Sequence, residues 1–299
     1  MRNVAEKRLQ PAAPPLCRRI AAGLATRGRP DHVRRVVALL RRQTLRPAVI
    51  FVAYVEPADV AGLSDADDLA LIACAPGLTR QRNAVLDALP HEAEFVAFFD
   101  DDFLPHPQWL QRAVAAFDAD LALAGLTGHV LANGVRGGEI APLLAREILA
   151  GADPAAHEGV EPGVSPYGCN MAFRCADVGA LRFDERLVLY GWLEDRDFAA
   201  RVGGRMARVN AALGVHLGVG AGRMSDRRLG YAQIANPLYL LRRRTMSAGD
   251  FARRVGCDLA SNLAKALRSH ARRRRLVGNL LALGEALVGR CKPERAARF

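Results

Sequence analysis

Short runs of β-branched and aromatic residues alternate with segments of helical period through the first 120 residues, and this alternation constrains the fold more than any other feature. Ile20 to Ala25, Ala48 to Val55, Asp68 to Cys74 and Phe95 to Phe99 read as strands. Between them, Asp31 to Gln43 sets Val33, Val36, Val37, Leu39 and Leu40 at helical spacing, with Asp31 after Pro30 in position to cap that helix. Thr79 to Leu89 and Pro107 to Phe117 read as helices too. Such alternation predicts an α/β fold with a parallel, doubly wound sheet. Ligands of these sheets bind beyond the carboxyl ends of the strands. Residues 26–30 and 100–102 each follow a predicted strand, so both fall on one rim.

Beyond residue 120 the pattern continues with strands over Leu121 to Val130, Tyr167 to Phe173 and Arg208 to Leu217. Helices are expected near Leu143 to Leu149 and over Glu194 to Val202, and the chain reads as mostly helical from Tyr231 to about Arg290. This divides the chain into a polar segment, 1–19, an α/β domain, 20–244, and a basic amphipathic helical region, 245–299. With 299 residues, 51% of them hydrophobic, a sizeable core can form and wholesale disorder is excluded.

The net charge of +11 is concentrated. From Arg242 to Arg275 there are 11 basic residues and 2 acidic ones, Asp250 and Asp258. Such a run is either a solvated helix face or the contact for an anionic partner, such as membrane headgroups. Nucleic acid is not the expected partner, because aromatic residues are only 6% and the basic run holds a single one, Phe251, too few to interleave it for base stacking. The six cysteines form no Cys-x-x-Cys pair, which argues against a zinc site or a disulfide framework and for reduced, cytoplasmic thiols. Neither a signal peptide nor a spanning helix is expected.

The chemistry concentrates in Phe95-Val96-Ala97-Phe98-Phe99-Asp100-Asp101-Asp102. Three carboxylates at the end of an apolar strand repel one another unless a cation or other partner compensates. Asp100 and Asp102 are two residues apart, so extended backbone points them the same way. Two hard oxygen donors on one side suit Mg²⁺ or Mn²⁺.

Taken with the segments around it, this motif resembles those of glycosyltransferase family 2, over about Ile20 to Arg244. The resemblance rests on Thr26-Arg27-Gly28-Arg29-Pro30, Arg82-Asn83, Asp100-Asp101-Asp102, Gly168-Cys169-Asn170-Met171-Ala172-Phe173-Arg174, Phe183-Asp184-Glu185 and Glu194-Asp195-Arg196-Asp197, in that order. It implies a Rossmann-like GT-A fold, with a mostly parallel central sheet flanked by helices and here a helical C-terminal extension. It further implies an inverting transfer from a nucleotide-diphosphate sugar, with Mn²⁺ or Mg²⁺ at Asp100 and Asp102. Thr26, Arg29, Arg82, Asn83 and Asp101 would contact the donor. Asp195 would be the base, with Glu194 the second choice. A saccharide or lipid-linked acceptor is implied, in surface-polysaccharide or glycolipid assembly by a cytoplasmic enzyme peripheral on the inner face of the membrane.

One departure stands out. The family's second strand commonly ends in an acidic pair that reads the base, whereas here it ends Val52-Ala53-Tyr54-Val55-Glu56-Pro57, leaving Glu56 or Asp59 as substitutes. Several residues keep two readings. Glu194-Asp195 also suits the first turn of a helix without catalysis. His216 is a third metal ligand or a structural histidine, Arg82 a donor contact or a salt-bridge partner, and Trp192 a sugar platform or core. Arg223 and Arg227 close over a diphosphate or face solvent. The rivals to this reading are a metal-dependent nucleotidyltransferase and a non-catalytic sugar- or nucleic-acid-binding protein.

Overall fold

The computed structural model describes residues 16–17, 20–220 and 224–299. The expected segment 1–19 therefore lies outside the described residues apart from Leu16 and Cys17, as does Arg223. The strands that build the sheet are β1 (Ile20–Ala25), β2 (Ile50–Tyr54), β3 (Leu69–Ala73), β4 (Phe95–Asp100), β5 (Phe103–Pro105), β6 (Leu123–Asn133), β7 (Val160–Pro162), β8 (Asn170–Arg174) and β9 (Arg205–His216). Their order is β3-β2-β1-β4-β8-β6-β9-β5, with β7 also pairing β9. The first four are mutually parallel, β8 runs antiparallel to β4 and β6, and β6 and β9 are parallel. The expected mostly parallel α/β sheet is therefore present, and β8 is the strand that reverses direction at its centre.

Both faces of the sheet are covered. In β4, Phe95, Ala97 and Phe99 enter one core, with helices α1 (Pro30–Leu40) and α3 (Trp109–Ala119). Val96 and Phe98 enter the other, with α2 (Leu78–Asp87) and α5 (Glu194–Val202). A strand buried on both faces needs a continuous apolar run, which explains why β4 shows no polar alternation. The run stops at Asp100 because the strand reaches the rim there. Another helix, α4 (Pro142–Ala150), covers the β5–β9 end through Ala145 and Leu149.

Asp31 does not cap α1. The helix already begins at Pro30, whose missing N–H costs nothing at the first position, and Asp31 sits in the first turn paired with Arg34. Beyond the sheet, α6 (Asp226–Arg242), α7 (Ala248–Lys265) and α8 (His270–Leu287) pack together. α6 and α8 touch backbone to backbone. A Cβ on Gly278 would lie 2.1 Å from the Arg227 carbonyl oxygen, and Asn279 donates a 2.7 Å hydrogen bond to the Gly230 carbonyl. α6 also faces the α/β layer, where Asn236 donates to the Trp192 carbonyl at 2.8 Å. Among the described residues no helix is long and apolar enough to cross a membrane.

Candidate active site

The site lies on the rim formed by the ends of β1 and β4. Ala25 pairs with Asp100 in the sheet register, so the next residues, Thr26 and Asp101, meet. Thr26 Oγ1 donates to Asp101 Oδ2 at 2.7 Å, and Arg29 Nη1 lies 3.0 Å from Asp101 Oδ1. Asp101 is thus neutralised by protein groups. Gln81, from α2, locks this corner by donating to the carbonyls of Thr26 (2.8 Å) and Ala53 (2.9 Å). Asp59 holds the Thr26–Pro30 loop from below by accepting the Gly28 N–H at 2.6 Å.

Asp100 and Asp102 are arranged differently. Asp100 gives Oδ1 to Arg82 at 3.2 Å, and Asp102 gives Oδ2 to the Val219 N–H at 2.8 Å and to Arg29 at 3.5 Å. Each carboxylate keeps its other oxygen turned toward His216 Nε2. That nitrogen is 3.9 Å from Asp100 Oδ2 and 3.2 Å from Asp102 Oδ1. One ligand atom from each of Asp100, Asp102 and His216 falls within 4.8 Å of the others. His216 comes to the site on the last residue of β9, which pairs with Phe103 of β5 just past the aspartates.

Electrostatics match this division. Burial raises Asp100 against the pull of Arg82, and burial raises Asp101 to about 7. At Asp102 burial works the same way but is outweighed by the hydrogen bond from His216, which holds the carboxyl down at about 2. Burial opposes charge on His216. The neighbouring Cys169 sulfur and Asp102 outweigh it, and the imidazole is pushed up to about 11. A half-buried and a buried carboxylate facing one imidazole bind a cation in the space they share, whether a proton or a metal ion. Two oxygens and one imidazole nitrogen form a donor set that fits Mn²⁺, and fits Mg²⁺ less well because of the nitrogen.

Asp100 lies at the joint of two cavities. One, of about 270 Å³, is lined by Thr26, Arg27, Arg29, Gln81, Asp101 and Arg228 among others. The second, of about 370 Å³, is lined by Arg82, Gly168, Trp192, Asp195, Arg196 and Arg254 among others. Leu78 and Tyr190 also line both. The partition between the cavities is residues 189–193, where Leu189, Gly191 and Leu193 all have positive φ, at 62°, 66° and 72°. Left-handed backbone at two leucines costs on the order of 1–3 kcal/mol each and persists only where its surroundings enforce it. Here Leu78 N–H donates to the Leu189 carbonyl at 2.9 Å, and Glu194 N–H to that of Gly191 at 2.7 Å.

Asp195 projects into the larger cavity, half-buried. The Gly168 N–H donates to its Oδ2 at 2.9 Å and the Arg196 N–H to its Oδ1 at 2.8 Å, which fixes the carboxylate plane. A side chain at Gly168 would crowd both carboxylates, since a Cβ there would lie 3.1 Å from Glu194 Oε1 and 3.4 Å from Asp195 Oδ2. Glu194 is buried, its Oε1 held by Arg82, and burial raises it to about 8. Arg82 also donates to the Gly168 carbonyl at 2.7 Å, so this guanidinium ties β4, α5 and the Gly168 turn together.

Other expected residues lie apart. Asn83 turns away from its neighbour and clasps Phe183, donating to its carbonyl at 3.0 Å and accepting its N–H at 2.7 Å. Glu56 is exposed at the start of a short 3₁₀ turn and lines neither cavity. Arg227 lies over Phe299, and it is the next residue, Arg228, that reaches the smaller cavity. The sequence reading missed Gln81, Tyr190, Arg228 and Arg254. An amide in a helix, a lone tyrosine, an arginine at a helix start and another inside a basic run carry no signal of their own.

The architecture is the GT-A fold of the glycosyltransferases. No family model and no curated protein matches the sequence. Among solved structures, the chain is similar to the mannosyltransferase PcManGT of Pyrobaculum calidifontis, determined with GDP-Man and Mn²⁺. The identity is 16% and the TM-score 0.52, over 90% of this chain and 80% of that one. It is also similar to glucosyl-3-phosphoglycerate synthase of Mycobacterium tuberculosis, determined with Mn²⁺, UDP and phosphoglyceric acid. There the identity is 16% and the TM-score 0.51, over 78% of this chain and 81% of that one.

Proposed function

We propose that the protein is a divalent-cation-dependent glycosyltransferase that moves a sugar from a nucleoside-diphosphate donor to an acceptor hydroxyl with inversion. One observation carries this reading: an Asp/Asp/His cluster with a carboxylate oxygen of each aspartate turned toward the imidazole nitrogen, at the joint of two cavities. Asp100, Asp102 and His216 would hold Mn²⁺ or Mg²⁺. The ion, when bound, neutralises charge on the departing diphosphate. Thr26, Arg27, Arg29 and Arg228 line the cavity on the donor side, where arginines suit phosphate oxygens. Both neighbours of known structure were determined with Mn²⁺ and a nucleotide, which supports the donor reading.

Asp195 acts on the acceptor. As the acceptor oxygen bonds to the anomeric carbon, its proton passes to the Asp195 carboxylate and the bond from that carbon to the diphosphate oxygen breaks. Asp195 lines only the larger cavity, across the Asp100 joint from the donor side, which favours attack from the face opposite the leaving group. Glu194 is a positioning residue in this scheme, since it is committed to Arg82.

A panel of nucleotide sugars and nucleoside triphosphates with Mn²⁺ or Mg²⁺ tests the reading. Release of nucleoside diphosphate from one sugar donor, abolished in Asp102→Ala, is the expected result. Turnover of a triphosphate to pyrophosphate would instead favour nucleotidyl transfer.

The C-terminal helices support a location against an anionic membrane. Val277, Leu280, Leu281, Leu287 and Val288 are exposed along one stripe of α8. From residue 260 to 292 every exposed charged side chain is basic: Lys265, Arg268, Arg273, Arg274, Arg290 and Lys292. Apolar side chains rimmed by one sign of charge fit a bilayer interface carrying acidic lipid. Co-sedimentation with phosphatidylglycerol vesicles but not phosphatidylcholine vesicles, lost in a Leu280→Asp/Leu287→Asp variant, is expected. Equal recovery with both lipids would remove the membrane from the scheme.

A further inference from the structure

Four arginines around Asp100 and Asp195 divide into two kinds. Arg29 and Arg82 are each matched by carboxylates. Arg196 and Arg254 are not. Both line the larger cavity beside Asp195, and no salt bridge or side-chain hydrogen bond joins either guanidinium to any group among the described residues. Arg196 is supplied by the first turn of α5 and Arg254 by α7, from the far end of the sequence. Arg254 is half-buried, with its guanidinium carbon 5.8 Å from the centre of the Trp192 ring. Its neighbour Arg253 is exposed and pairs with Asp250. Adjacent arginines on one helix thus have opposite surroundings.

Burial opposes the charge on Arg254, and the nearby Arg196 charge opposes it further. Asp258 and Asp195 attract it, and Arg253 adds repulsion. Neither carboxylate reaches ion-pair distance, and Asp258 Oδ2 is itself buried without a hydrogen-bond partner. Two like charges in a partly dry wall, with no counter-charge in contact among the described residues, are compensated when an anion enters.

We propose that Arg196 and Arg254 form an anion subsite, and that the acceptor carries a phosphate group which this pair holds while its hydroxyl faces Asp195. The proposal rests on the glycosyl-transfer reading of the cleft and names the acceptor class within it. Two guanidiniums match a phosphate monoester, at about −1.5 to −2 near neutral pH, better than a single carboxylate charge. Trp192 supplies an apolar face beside them for the part of the acceptor that carries the phosphate.

Trp192 also reports binding. A phosphate drawn between the arginines loosens the Arg254–Trp192 stack and alters the emission of that tryptophan, while Trp109 stays fully buried in the core. The full chain, without divalent metal and at constant ionic strength, is titrated with glycerol 3-phosphate. Glycerol is the uncharged match, acetate the carboxylate arm and dihexanoyl phosphatidic acid the lipid arm. A saturable change with glycerol 3-phosphate that is absent in Trp192→Phe is expected, with glycerol silent and acetate weaker. Arg196→Gln and Arg254→Gln should each weaken binding about ten-fold or more. Tighter binding of the phosphatidic acid would assign the phosphate to a lipid-linked acceptor, and equal or weaker binding to a soluble one. The proposal is overturned if neither phosphate gives a saturable change, if acetate binds as tightly, or if the glutamine variants bind like the parent. Nucleoside-diphosphate binding with Mn²⁺, measured on the unaltered chain, separates the two failures. Loss of the anion response alone removes the subsite, whereas absence of nucleotide binding removes the glycosyl-transfer reading itself.

Discussion

The two walls of the cleft handle charge in opposite ways. On the donor wall, which runs from Arg29 past Asp100 to Arg82 and Glu194 at the edge of the larger cavity, Arg29 and Arg82 are locked against Asp100, Asp101, Asp102 and Glu194, and Arg82 is almost wholly buried. On the acceptor wall Arg196 and Arg254 face a cavity with no anionic partner in contact among the described residues. The ion pairs of Arg29 and Arg82 belong to the fold before anything binds, whereas Arg196 and Arg254 hold charge in reserve, as Arg228 does at the donor-side cavity. An arginine's role here follows from whether its counter-charge is already part of the fold, and each wall should respond to substitution accordingly.

Asp195 stands between the walls, and its loss should have the largest effect. Asp195→Asn keeps the side chain's shape and can still accept one of the two backbone N–H groups, that of Gly168 or of Arg196, but removes the proton acceptor. We expect kcat to fall about a thousand-fold, within the range for general bases, with KM for the donor little changed. Steady-state kinetics read both, and an unchanged kcat would move the base elsewhere in the cavity.

Removing a member of the donor wall should cost stability. Arg82→Met leaves the buried Glu194 and the partly buried Asp100 without their cation, and breaking one side of a buried pair typically costs about 3–5 kcal/mol. Urea unfolding measures the loss. The double variant Arg82→Met/Glu194→Gln should recover part of it, because the uncompensated carboxylate is gone. A single variant as stable as the parent would mean that the donor wall does not depend on its ion pairs.

These assignments separate what the sequence makes legible from what packing alone decides. The alternating apolar runs locate β1 to β4, α2 and α5 within a few residues, because a sheet buried on both faces leaves a strong composition signal. Adjacency on the rim is legible as well, since β1 and β4 end together. Orientation within a motif is not. Asp100, Asp101 and Asp102 look alike as letters, yet the middle one is taken up by Thr26 and Arg29. Asn83 follows Arg82, but successive helix positions point in different directions, so one residue enters the site and the other clasps Phe183. In the basic run nothing local separates Arg253 from Arg254, and only the packing of α7 over Trp192 does so.

The acceptor wall takes its rigidity from the C-terminal helices. Gly278→Ala puts a methyl group where the Arg227 carbonyl oxygen and the Tyr231 nitrogen of α6 already stand, 2.1 and 2.6 Å from a Cβ. Overpacking of this kind costs about 1–3 kcal/mol. The thermal midpoint should drop, and the Trp192 response to glycerol 3-phosphate should weaken as α8 shifts against α6 and disturbs the adjoining α7. Nucleoside-diphosphate affinity should fall less, because Arg228 of α6 is the one donor-side residue beside this contact and Gly278 touches none of the others. Equal loss of both ligands would show the two walls to be mechanically one.

The smallest expected effect is the most diagnostic. Arg196→Gln removes a guanidinium that makes no salt bridge and no side-chain hydrogen bond among the described residues. It also relieves the repulsion that Arg254 feels. Unfolding free energy should therefore stay within about 0.5 kcal/mol of the parent, as for substitutions that break no specific interaction, or rise slightly. The measurement is urea unfolding under the conditions used for Arg82→Met, so that two arginines of one cleft are compared directly. A loss of 2 kcal/mol or more, on the order of a broken charged hydrogen bond, would show that Arg196 already has its partner in the free protein. The acceptor wall would then be built like the donor wall, with no positive charge left over for an incoming phosphate.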